Sequence, residues 1–136
     1  MSADLAYQYV VLRAVPRVER EEFVNIAVVL HCKQDRFLAM KAGPWQERVR
    51  SLDPAADIAA IAHALDGVAQ MCAPPPGHFA AAMTTSERFG WLAAPRSVVV
   101  QPGPAHGGVT GDPAAQLDSL CTRYADAPKE PGTGPV

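Results

Sequence analysis

Residues 17–22 read Arg-Val-Glu-Arg-Glu-Glu, and they are flanked by Arg13 and Asn25. Guanidinium groups grip phosphate or carboxylate through paired N–H donors. Glutamates such as Glu19 and Glu22 can hold a cation or act as a general base. The competing reading is a solvated loop whose charges pair with one another and contribute little. Asn25 stands out because it interrupts a run of β-branched and apolar residues, where an amide costs stability unless it is hydrogen-bonded. Arg88, ahead of Phe89-Gly90-Trp91, is a further candidate. Arg13, Arg17, Glu19, Glu22, Asn25 and Arg88 are therefore the ligand or partner-binding candidates. They converge only if the fold brings their strands together.

Other chemistries have weaker support. His31, His63, His78 and His106 are far apart in sequence, and none pairs with a cysteine or acid at ligand spacing, so no metal site is expected. No Gly-x-Ser-x-Gly, P-loop or dinucleotide fingerprint occurs, and no cofactor is expected. Cys32, Cys72 and Cys121 are odd in number and widely spaced, the pattern of reduced thiols in a cytoplasm. At 136 residues, 49% hydrophobic and 19% charged, the chain has the size and composition of one globular domain. A net charge of -2 offers nucleic acid or anionic lipid no general attraction. No apolar run approaches the ~20 residues that a membrane-spanning helix needs, and no signal peptide is apparent.

The candidates need elements to position them. Residues 7–15 and 23–32 are rich in aromatic and β-branched side chains and predict two strands joined by the charged loop. Alternation puts Val24, Ile26, Val28, Leu30 and Cys32 on one apolar face, which helices should cover. Gln34-Asp35 predicts a turn into a third, antiparallel strand over 36–41. Trp45, Val49 and Leu52 suit a short helix. Asp53-Pro54 reads as the start of a longer helix reaching Met71, with Ile58, Ile61, Leu65 and Val68 as its stripe. Thr85 or Ser86 caps another helix through Leu92. Residues 97–101 predict a fourth strand ended by Pro102, and residues 103–111 read as loop. Asp112-Pro113 opens a last helix carrying Leu117, Leu120, Cys121 and Tyr124. The expected architecture is α+β, a mostly antiparallel sheet of about four strands with helices on one face. A single domain is expected over 1–126, with a disordered tail over 127–136.

Residues 7–17 and 20–30, followed by 87–92 and the block 95–101, resemble a bacterial family known as domain of unknown function 3037. The pattern places glycine in an Asn-x-Gly-Val segment where this chain has Ala27. The resemblance implies a small bacterial protein, often encoded beside a kinase resembling the HipA toxin kinases. It marks Arg13, Arg17, Glu22, Asn25 and Arg88 as positions of interest. Two functions are therefore expected to compete. One is a non-enzymatic accessory or interaction module working with a separately encoded partner, such as a HipA-like kinase. The other is a small enzyme or binding protein acting on a phosphorylated or nucleotide-like ligand through the Arg/Glu/Asn cluster.

Overall fold

The two β-rich runs form the centre of the sheet. In this computed structural model, which describes residues 4–96 and 98–126, β1 (Leu5–Ala14) pairs antiparallel with β2 (Val24–Cys32). β2 also pairs antiparallel with β3 (Phe37–Ala42). The far side of β1 is shared by two short strands, β4 (Val100–Pro102) along its second half and β5 (His106–Thr110) along its first. The helices are α1 (Gln46–Leu52), α2 (Ile58–Cys72), α3 (Thr85–Ala93) and α4 (Pro113–Tyr124). The chain is thus α+β with an antiparallel sheet.

Strict alternation fails along β2, and one residue is the reason. Leu12 faces Ala27, but Arg13 faces Asn25, so Ile26 is an extra residue in the ladder. A bulge of this kind resets which side chains share a face. Val24 and Ile26 join Ala27 and Val29 in one core, while Val28, Leu30 and Cys32 belong to a second. Both faces of β2 are consequently apolar, and both must be covered.

The expectation of helices on one face is corrected accordingly. Trp45 at the N-cap of α1, together with Val49, Ile61, Leu65, Phe89 and Leu92 from α1, α2 and α3, fills the first core. On the opposite face, α4 presses Leu117, Leu120 and Cys121 against Val28, Leu30 and Cys32. Burying each of those leucines contributes about 1.5–3 kcal/mol, enough to hold a twelve-residue helix that would be marginal alone.

The helix starts follow the local signals only in part. Asp112 caps α4 by accepting from Ala115 N–H at 3.2 Å, with Pro113 in the first turn, as the Asp-Pro pair predicts. Asp53-Pro54 does not open α2. Asp53 ends α1 and anchors a turn through Ala55 N–H, and the cap of α2 is Asp57, which accepts from Ala60 N–H at 3.0 Å. The cap of α3 is Thr84, in a reciprocal capping box with Glu87, one residue before the expected position.

The segment read as loop over 103–111 contains β5. Its glycines serve packing: Gly108 lies opposite Tyr7, and a Cβ there would sit 2.6–2.9 Å from the Tyr7 ring and hydroxyl. The bare strand lets the tyrosine lie across it. β4 is shorter than expected and retains Pro102, tolerable on an outer strand that need not donate through that residue. Ser97 and the expected tail over 127–136 lie outside the described residues.

Candidate functional site

The bulge that splits the cores also builds the site. With Leu12 opposite Ala27, an unbroken ladder would set Arg13 opposite Ile26. The extra residue brings Asn25 there instead. On the other side of β1, Arg13 faces Gln101 of β4. Side chains directly opposite one another share a face, at strand spacings of about 4.8 Å. Asn25, Arg13 and Gln101 therefore form one polar row across three strands.

Within that row Arg13 is held but not neutralised. Its guanidinium carbon lies 4.1 Å from the centroid of the Phe23 ring, a cation–π stack, and Phe23 is 46% exposed. On the other side it lies against Gly103, whose missing Cβ leaves room for the Nη2 group. The Nε atom is buried without an acceptor, alone in this among the described buried side-chain nitrogens and oxygens. Gln101 donates to Val98 O at 2.9 Å, which leaves its amide oxygen for another donor. Asn25 is fixed through its backbone: Arg48 Nη1 donates to both Asn25 O and Ala125 O at 3.1 Å. That bridge ties the bulged end of β2 to the end of α4.

The loop charges have a different arrangement. After Pro16 the chain makes a short 3-10 turn (Val18–Arg20) and escapes through Glu21 in the left-handed region, φ 58°. Arg17 Nε donates to Asp53 Oδ2 at 3.2 Å, and Arg20 pairs with Glu22. The carboxylate of Glu22 raises the Arg20 pKa further above its ordinary value. Arg17, Arg20, Glu22 and Asp53 line a cavity of about 280 Å³ with Pro16 and Leu52. Its two guanidinium groups already have carboxylate partners, so an incoming phosphate would have to displace them. Glu19 stands exposed on the turn, where its charge reaches Arg20.

Arg88 belongs to another part of the molecule. Its Nη1 donates to Met71 O at 2.8 Å and Cys72 O at 2.7 Å, and its Nε to Met83 O at 3.4 Å. These acceptors include the last two carbonyls of α2, which lack helical partners. Its charge also acts on His31, about 20 Å along β2 from Asn25 at ~3.3 Å per residue. The fold thus joins Arg13 with Asn25, joins Arg17 with Glu22 around one cavity, and leaves Arg88 apart.

Sequence reasoning missed three contributors. Gln101 is exposed to reading only once β4 is registered on β1, and Asp53 only once α1 ends beside the loop. Phe23 carried the one available signal, an aromatic residue next to a charged loop. Among the described residues no three His, Cys, Asp or Glu side chains gather to hold a metal ion, and no helix is long and apolar enough to cross a membrane.

Residues 9–125, which include the polar row, the loop cavity and Arg88, match the family model described as a protein of unknown function, DUF3037. The chain belongs to that family. Neither a curated protein nor a solved structure matches it. Within this DUF3037 chain, Ala27 is fully buried between its cross-strand neighbours Leu12 and Ala42.

Proposed function

We propose that this DUF3037 chain is a non-enzymatic accessory module that docks a separately encoded protein partner at the bulged end of the sheet. Arg13 is the anchor and receives an acidic group of the partner, with Asn25 and Gln101 as flanking hydrogen-bond groups and Phe23 as an aromatic rim. The observation that carries this reading is the Arg13 guanidinium, stacked on the exposed Phe23 ring and given no hydrogen-bond acceptor or carboxylate by the described residues. Arginine beside aromatic surface dominates the energetics of many interfaces. Such a row grips an anion but supplies neither nucleophile nor base. A HipA-like kinase is the partner to test first, on the family resemblance. Bacterial origin and a cytoplasmic location are part of the proposal and rest on that resemblance and on three free cysteines.

The test is co-purification of the full chain from its native host, followed by titration against the purified partner. Wild-type chain binds, and Arg13→Glu weakens binding at least about tenfold, since truncating or reversing a charged anchor commonly costs more than 1.4 kcal/mol. A partner that binds both forms equally sinks the proposal, as does a chain that emerges alone under gentle conditions. The competing reading, a phosphorylated or nucleotide-like ligand, would instead show as a thermal midpoint raised by nucleotides and lost in Arg17→Ala.

A further inference from the structure

A second cavity lies at the opposite end of β2. His31 is the one polar residue that is buried among the described residues, 6% exposed, and it is held firmly. Its Nε2 lies 3.1 Å from Thr85 Oγ1, and its ring stacks on Phe89 with centroids 5.2 Å apart. Its Nδ1 has no protein partner, yet Arg13 Nε is the only described buried side-chain nitrogen or oxygen left without one. The Nδ1 atom is therefore not sealed in the core. His31 also lines a cavity.

That cavity, about 420 Å³, runs between the first half of β1 and one face of α3. Ala6 and Gln8 form one wall, and Phe89 and Gly90 form the other, with His31 and Lys33 at the strand end. Gln8 is the direct cross-strand neighbour of His31, so the two share a face. No acidic residue lines the cavity, while Lys33 does and the Arg88 charge reaches His31. Burial first, then Arg88 and Lys33, push the His31 pKa below its ordinary value, so the imidazole is neutral at pH 7. A neutral, oriented imidazole beside a lysine, in a slot with apolar walls, combines one hydrogen-bonding atom, one fixed charge and room for a hydrocarbon body.

We infer that this cavity binds a small organic anion with an apolar body. Its carboxylate or phosphate head meets Lys33, a polar atom bonds His31 Nδ1, and the body lies along Ala6 and Gly90. Two variants separate site from scaffold. A Cβ at Gly90 meets nothing within 4 Å, and Gly90 lines the slot, so Gly90→Leu adds an obstructing side chain from an open position on the helix. Lys33 is exposed, so Lys33→Met removes the charge alone.

The experiment titrates the isotope-labelled full chain with benzoate, phenyl phosphate, neutral benzamide and cationic benzylammonium, following the amide resonances of Lys33, Ser86 and Gly90. At least one anion shifts these resonances saturably and binds about tenfold more tightly than benzamide, the gain expected of one charge-assisted contact. The tighter anion identifies the head group. Gly90→Leu abolishes the shifts, and Lys33→Met reduces the anion to the level of benzamide. The inference is overturned if no probe saturates, if neutral or cationic probes bind as well as the anions, or if Gly90→Leu leaves the shifts intact.

Discussion

Arg13 and Arg88 are the same residue put to opposite uses. Arg88 gives its donors to three backbone carbonyls and closes the end of α2 against α3. Arg13 is stacked on a ring, and its guanidinium has no acceptor among the described residues. A guanidinium whose donors already have acceptors inside the fold is part of the scaffold. One positioned by packing and left without acceptors has binding capacity to offer. The distinction lies in the neighbours, and the residue type is silent on it.

The comparison can be broken at its scaffold end first. Arg88→Ala leaves the last carbonyls of α2 without donors and should lower stability by about 2–4 kcal/mol in urea titration, because each charge-assisted bond contributes about 1.5–3 kcal/mol and the bonds are not additive. A loss below about 1 kcal/mol would mean that water replaces the side chain. At the other end, Arg13→Met removes the guanidinium stacked on Phe23 and leaves an unbranched apolar side chain in its place. Its stability should stay within about 1 kcal/mol of wild type, the size of an exposed cation–π contact. A larger loss would make Arg13 a second scaffold residue. Smaller still is Gly103→Ala, whose methyl group would collide with Arg13 Nη2. The flexible guanidinium should move aside at a cost under about 1 kcal/mol, while partner binding weakens in the direction expected for Arg13→Glu.

A pH series sharpens the contrast from the side of Arg88, whose charge is the second cause of the His31 shift. The folded-state pKa of His31 is lowered, so below the unfolded value of about 6.5 the unfolded chain takes up a proton that the folded chain resists. Stability should fall as the pH drops through that value, level off below the folded pKa, and be insensitive to His31 above it. His31→Gln should flatten this part of the profile, and an unchanged slope would show that other groups set it.

Much of the scaffold was legible from short-range signals. Turn residues and apolar periodicity located the first three strands and all four helices, and Asp112-Pro113 marked its helix start correctly. The same dipeptide at Asp53-Pro54 misled, because Asp57, four residues on, also offers a capping carboxylate ahead of the apolar stripe. The strand at 106–110 was hidden because its composition, rich in glycine, signals a loop unless the Tyr7 ring that lies over Gly108 is known. Of the site, the polar residue types near the charged loop were visible. Their partners were not.

What the sequence alone determined is what depends on neighbours in the chain: the existence of most strands and helices, the cap of α4, and the charge pattern of the loop. Only the tertiary structure decided that Ile26 is an extra residue in its ladder, that Asn25 and Gln101 flank Arg13, and that Arg88 serves the end of a distant helix. The physical reason is that side chains alternate with a period of two along a strand, so one bulged residue reverses every face beyond it. Such a residue is set by pairing and packing between distant segments, which leave no local mark on the chain.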